Sequence, residues 1–236
     1  MEDQKLPCIL ISGFEGPYSV NEDHVRDLKK HFNLITMQDF LENKTHFSKK
    51  IQAIYLWGVT PHINQELLQN LPALKIIVSP GAGLDHLDLK MIASFGVKVA
   101  NTPHAVSNST ADMGMALLLA SARKLLEGNE VATSPNTKYF SLNWMGEEVT
   151  GSTLGIIGMG RIGYKVAQRA KGFEMKILYH NRNRRSHPLL KLKNVILTPH
   201  IGVGTHQCLH LIKKNMVESL LAALSGLPIP NEVQLK

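Results

Sequence analysis

TGSTLGIIGMGRIGYKVAQRAKGFEMKILYHNR, residues 150–182, decides the fold class of this chain. It contains Gly158-x-Gly160-x-x-Gly163, a spacing that means little alone. Here it follows an apolar strand (TLGIIG), opens an amphipathic helix over 164–172 and precedes a second strand (MKILYH, 175–180). That is the context a dinucleotide-binding βαβ unit requires. Gly158 permits the tight turn, and Gly160 lets the backbone approach a pyrophosphate. Gly163 lets helix and strand pack closely, with the helix N-terminus facing the negative charge. A glycine-rich turn without a ligand is the plainer alternative.

Outward from this stretch, both flanks read as α/β. Strands are expected at 7–13, 53–58, 74–80 and 97–101 and helices at 21–32, 62–71 and 88–96, the first capped by Asn21. Strands alternating with helices at this spacing indicate parallel βαβ units, here a small flavodoxin-like domain. The helix at roughly 110–126, with Ser109 as N-cap and Asp112 three positions on, is apolar on nearly every side. Such a helix is buried or sits in a subunit interface. Residues 127–150 show little periodicity and read as an arm onto a second subunit or a long loop. A last amphipathic helix covers 207–224.

Composition bounds the function. The 236 residues are 44% hydrophobic, 19% charged and 6% aromatic, as in ordinary globular proteins. The start, MEDQKLPCILISG, does not read as a signal peptide, and no stretch approaches the ~18 apolar residues of a membrane helix. Cys8 and Cys208 read as free thiols of a reducing compartment, so a cytoplasmic location is expected. The net charge of +7 is concentrated: Arg161 to Lys193 holds ten Lys or Arg and one acid, Glu174. Without interleaved aromatics or a zinc signature, this patch suits a phosphorylated small molecule rather than nucleic acid. His206, Cys208 and His210 on the last helix fit packing better than a metal site.

Cofactor choice is read at the end of the second strand. An acid there would favour NAD(H). This chain has His180 and Asn181, then Arg182, Arg184 and Arg185, whose guanidinium groups suit a 2′-phosphate. NADP(H) is favoured over NAD(H), the alternative being that the arginines form only a solvated turn.

SPGAGLDHLDL (79–89), GVKVANTP (96–103), STADMGMALLLASAR (109–123), GIIGMGRIG (155–163) and NVILTPHIG (194–202) together resemble the D-isomer-specific 2-hydroxyacid dehydrogenases, most of all the glyoxylate and hydroxypyruvate reductases. The resemblance implies a substrate domain from 1–103, with the C-terminal helix (207–236) returning to it. It implies a nucleotide domain over 104–206, hinges near Pro103 and His206, and a homodimer formed through helix 110–126. It places substrate binding on Ala82 and Gly83 and the general acid/base on His200. Cofactor binding falls on Gly158, Gly160, Arg161, Ile162, Gly163 and Gly202, along with the basic turn. The substrate would be a small 2-oxo acid or 2-hydroxy acid.

A doubly wound dinucleotide domain has six strands. TLGIIG, MKILYH and NVILTPH make three, so about half the sheet, roughly 90 residues at ~30 per βα unit, is absent between about Arg185 and His187. The family's substrate-clamping arginine and histidine-orienting glutamate belong there, and no stretch of this chain matches either motif. The expected fold is therefore a flavodoxin-like substrate domain joined to a truncated Rossmann-type nucleotide domain. The expected function is NADP(H)-dependent reduction of 2-oxo acids, impaired by that loss. The alternative is a non-catalytic shortened form serving in dimerisation or cofactor binding.

Overall fold

A computed structural model describes residues 6–14, 20, 22–136, 144–180 and 200–234. The chain divides into two compact units, Met1–Val106 with His206–Lys236, and Ser107–Thr205.

In the first unit, β1 (Cys8–Ile11), β2 (Asn33–Thr36), β3 (Ile51–Tyr55), β4 (Ile76–Val78) and β5 (Lys98–Ala100) pair in parallel in the order β2-β1-β3-β4-β5. β1, CILI, is buried at all four positions, as parallel strands covered on both faces must be. Leu10, Ile54 and Ile77 join one core cluster with Phe40 of α2 (Met37–Glu42), Leu67 and Leu68 of α4 (Gln65–Gln69) and Ile92 of α5 (Leu89–Ser94). By strand alternation, Ile9, Tyr55 and Ile76 fall on the opposite face. The long C-terminal helix α9 (His206–Leu224) packs on β3 and β4 through Cys208, Ile212, Met216 and Leu220, a stripe of one residue per turn. Burial of this stripe explains why the helix returns to this unit.

The short helices have legible starts. Asn64 accepts from Leu67 N–H at 2.8 Å and Asp88 from Met91 N–H at 3.0 Å. Thr36 and Asp39 form a reciprocal capping box at α2. Neither β2 nor that box, nor the short helix α3 (Lys44–Phe47), is among the expected elements. A four-residue strand leading straight into a six-residue helix gives periodicity too little length to register. The first helix, α1, spans Glu22–Lys29; its expected cap Asn21 lies outside the described residues. The C-terminal tail covers the outer edge of β5, with Val233 N–H donating to the Val99 carbonyl at 2.8 Å and Lys98 paired to Glu232 at 3.2 Å.

In the second unit, α6 (Ser107–Ala122) lies against α8 (Arg161–Ala170), and β6 (Thr153–Ile157) pairs in parallel with β7 (Lys176–His180). Met115, Ala170 and Met175 form its core with Leu118, Leu154, Val166 and Ile177 around them. Asp112 and Arg169 join α6 to α8 at 2.6 Å. Two strands are described here, where a complete dinucleotide domain has six. The expected strand at 194–200 lies, except for His200, outside the described residues. Ile157 and Leu178, on one face of the pair, are 68% and 65% exposed.

Several local expectations need correcting. The helix begins at Ser107, so Ser109 is a buried first-turn residue rather than the cap, and Asp112 serves the ion pair to Arg169. The helix breaks at Lys124, whose φ is +49°, and α7 (Leu125–Thr133) follows where little periodicity is visible. Residues 144–150, the end of the expected arm or loop, meet the end of α6. Glu147 N–H donates to the Ala122 carbonyl at 2.7 Å, and a Cβ on Gly146 would stand 2.7 Å from that oxygen.

Candidate functional site

The glycine loop is shaped by its backbone. β6 ends at Ile157, and Gly158 then takes φ +101°, a conformation that side chains disfavour. Gly160 is extended and stands at the N-cap of α8, where it has no side chain to cap the helix. Arg161 is the first helical residue, and Tyr164 N–H donates to the Gly160 carbonyl at 2.9 Å. The first-turn amides are thus left for another acceptor, and the helix dipole favours an anion there. A Cβ on Gly163 would stand 2.1 Å from the Gly158 carbonyl oxygen and 3.2 Å from Ile156 Cγ2. Helix and strand touch at this point, and any larger residue would separate them. Gly158, Gly160, Arg161, Ile162 and Gly163 therefore lie together in one strand-to-helix turn.

Beside the turn runs an open groove of about 590 Å³, lined by Leu117 and Leu118 of α6, Ile157 of β6, and Ile162 and Val166 of α8. It gives the loop an apolar flank. Asn181, Arg182, Arg184 and Arg185, expected to choose between the two cofactors, lie outside the described residues.

His200 is exposed and begins a short irregular segment leading to α9. Gly204 N–H donates to the Ile201 carbonyl at 2.8 Å, tightening the segment. A Cβ on Gly202 would meet Thr110 Cγ2 at 2.9 Å, so Gly202 lets the backbone pass close to the first turns of α6. The same helix meets α8 at Gly114, 3.3 Å from Val166 Cγ2 as measured from an added Cβ. One helix therefore backs both the segment of His200 and Gly202 and the helix carrying the glycine loop.

Ala82 and Gly83 belong to the other unit, in the loop after β4. That loop is pinned to the end of β5. Gly81 (φ +82°) donates to Thr102 Oγ1 at 2.7 Å, Thr102 N–H donates back to the Gly81 carbonyl at 2.8 Å, and Asn101 Nδ2 donates to the Ala82 carbonyl at 3.0 Å. Ala82 and Gly83 are exposed, and a Cβ on Gly83 would meet nothing. The carbonyls are held while the amide edge stays open to solvent, an arrangement able to receive a carboxylate.

Reasoning from sequence does not single out His24. Its Nε2 lies 2.5 Å from the hydroxyl of Tyr55, both side chains are buried, and Trp57 stacks on Tyr55 with an interplanar angle of 10°. Burial, then the positive charge of Lys213, lowers the His24 pKa to about 4, while burial raises that of Tyr55. His24 is thus neutral at physiological pH. Its place in NEDHVRDLKK, next to acids on an apparently solvated helix, gives no sign of this. Cys208, which the sequence sets near two histidines, faces inward and donates to the Ala105 carbonyl at 3.4 Å.

Residues 9–234 match the D-isomer specific 2-hydroxyacid dehydrogenase family, catalytic domain. The chain belongs to this family. A glyoxylate reductase from Thermococcus onnurineus is 34% identical over 174 residues, covering 70% of this chain and 52% of that protein. One from Thermococcus litoralis is 42% identical over 132 residues, covering 54% of this chain and 40% of its own length. The chain thus spans about half the length, or less, of these curated relatives. Among solved structures, a 2-hydroxyacid dehydrogenase from Ketogulonicigenium vulgare Y25 aligns with TM-score 0.82 at 21% identity, over 98% of this chain and 99% of that one. An NADPH-dependent glyoxylate/hydroxypyruvate reductase from Sinorhizobium meliloti, in complex with NADP and malonate, aligns with TM-score 0.78 at 19% identity, over 96% of each chain. At these identities the structures speak to the shared α/β fold.

Proposed function

We propose that this chain is an NADP(H)-linked oxidoreductase of the 2-hydroxyacid dehydrogenase type, acting on small 2-oxo acids such as glyoxylate or hydroxypyruvate with reduced turnover. The observation that carries the cofactor half of this reading is the contact between Gly163 and Gly158 beneath an uncapped helix start. The donor set fits a dinucleotide: Gly158, Gly160, Arg161, Ile162 and Gly163 would hold its pyrophosphate, and Gly202 would also contact the cofactor. Arg182, Arg184 and Arg185, with Asn181, take the 2′-phosphate and favour NADP(H) over NAD(H). A bound nicotinamide supplies hydride to the carbonyl carbon of the acid.

The chain's own residues do the rest. Ala82 and Gly83 amides receive the substrate carboxylate, and His200 gives a proton to the carbonyl oxygen, a role suited to imidazole near neutral pH. Turnover is lowered because no stretch of the sequence matches the arginine that would position the carboxylate or the glutamate that would orient His200. Misplacement by even ~1 Å can cost about a hundredfold. We assign the residues before about 103 and the C-terminal helix to substrate handling, residues 104–206 to the nucleotide, and the chain to the cytoplasm as a homodimer through helix 110–126. Purified protein assayed for NADPH and NADH oxidation with glyoxylate and hydroxypyruvate tests this. Weak, NADPH-preferring activity is the expected result, and rates like those of a complete reductase would refute the impairment.

A second reading is favoured by the exposure of Leu125 and Leu126, at 62% and 51%. On that reading the chain has no turnover and associates through α6 and α7 with complete reductase subunits. Co-purification with such a subunit, without activity of its own, separates it from the first. A strictly monomeric chain removes it.

A further inference from the structure

The amino-terminal edge of the first unit's sheet holds a cavity of about 500 Å³. Cys8 and Leu74 form a buried apolar floor beside the exposed Pro72, and Lys49, Lys50 and Lys75 also line it. Strand register brings these lysines together. Lys50 immediately precedes Ile51, which pairs with Cys8, and Lys75 N–H donates to the Gln52 carbonyl at 2.8 Å. Cations from two separate crossovers therefore meet at one end of adjacent strands. The Ala82–Gly83 loop follows the opposite, carboxyl end of β4, so the cavity stands apart from it.

Among the described residues the charge around this cavity is uncompensated: no carboxylate lines it, and Lys49, Lys50 and Lys75 make no ion pair. Lys50 Nζ instead approaches His46 Nε2 at 2.8 Å. The contrast with nearby lysines is clear. Lys98, on the same edge one strand further along, holds Glu232 at 3.2 Å. The polar groove between α1 and α9 is balanced, Lys30 taking Asp27 at 2.6 Å and Lys214 taking Glu218 at 3.9 Å. Three like charges around one concavity repel each other, and an oxyanion between them removes that repulsion and gains charge-assisted hydrogen bonds. The apolar floor would be covered by a ligand with a hydrocarbon or aromatic body, and the volume suits a small molecule.

We propose that this cavity binds a small organic anion, its phosphate or carboxylate held by Lys49, Lys50 and Lys75 and its apolar body seated against Cys8, Leu74 and Pro72. The site lies outside the machinery assigned above and stands whether or not the chain turns over. Amide NMR on the whole chain tests it, with phenyl phosphate, benzoate and inorganic phosphate as probes and sodium chloride at matched ionic strength as the control. Saturable shifts are expected at Asn33, Gln52 and Lys75, tighter for phenyl phosphate than for inorganic phosphate. The benzoate titration decides between the two head groups. Lys75→Met is expected to weaken phenyl phosphate about tenfold, while Lys98→Met leaves it unchanged. Shifts confined to Gly158–Gly163, an equal response to chloride, or undiminished affinity in Lys75→Met and Lys50→Met would each overturn the proposal.

Discussion

The carbonyl oxygen of Gly158 occupies the space where a side chain on Gly163 would begin, 2.1 Å from an added Cβ. That overlap locks the end of β6 to the first turn of α8, and backbone on one side leaves nothing flexible to yield. Gly163→Ala is therefore expected to lower stability by about 1–3 kcal/mol. It should also weaken dinucleotide binding more than tenfold, on the order of one decade per 1.4 kcal/mol of distortion at the loop. Urea unfolding and NADPH fluorescence titration measure the two effects, and an alanine variant that binds like the parent would contradict the assignment of the loop.

His24 makes stability depend on pH. Its pKa is lowered from 6.5 to about 4 on folding, so the unfolded chain binds the extra proton between those values. The contribution is complete above pH 6.5 and is lost as pH falls toward 4, about 2 kcal/mol of it by pH 5. Urea unfolding at pH 7 and pH 5 should show this drop. His24→Gln, which keeps a hydrogen-bonding group but cannot titrate there, should shrink it. Equal drops in parent and variant would remove His24 as the cause.

Gly202 and Thr110 form a pair that one substitution breaks and a second restores. A Cβ at 202 meets Thr110 Cγ2 at 2.9 Å and Oγ1 at 3.1 Å. Gly202→Ala is expected to cost about 1 kcal/mol, and Thr110→Ala in the same chain to recover most of it, because the offending atoms belong to one removable side chain. A double-mutant cycle by thermal or urea unfolding reads the coupling. Strict additivity would place the contact elsewhere.

The capping box at α2 is predicted to matter beyond its size. Thr36 Oγ1 accepts from Asp39 N–H, and the Asp39 carboxylate accepts from both Thr36 N–H and hydroxyl, which holds the Asp39 pKa below the usual carboxylate value. Asp39→Ala or Thr36→Ala should each cost about 0.5–2 kcal/mol. The Asp39 contribution is present at neutral pH and disappears as pH falls through the lowered pKa. Unfolding midpoints of the variants, compared at pH 7 and pH 3, check both magnitude and sign.

Much of the architecture is readable because it is written in local chemistry. Gly158 and Gly163 announce a turn that larger residues would disturb, and apolar runs such as CILI and AIYL read as covered strands. Family membership follows from the order of the motifs 79–89, 96–103, 109–123, 155–163 and 194–202. Elements too short for periodicity to register, β2 and α2 above all, escape that reading. So does α7, because its helix begins from a left-handed Lys124 rather than from a capping side chain.

What the sequence by itself determined is therefore the chain's fold class, its family and the shape of its glycine loop, since each depends on residues close together in the chain. Only the tertiary structure decided which distant residues share an environment. It set His24 against Tyr55, Asp112 against Arg169, Gly202 against Thr110, and three lysines from two crossovers around one cavity. Those meetings depend on strand register and on which helix face is buried, and neither is encoded within any single short segment.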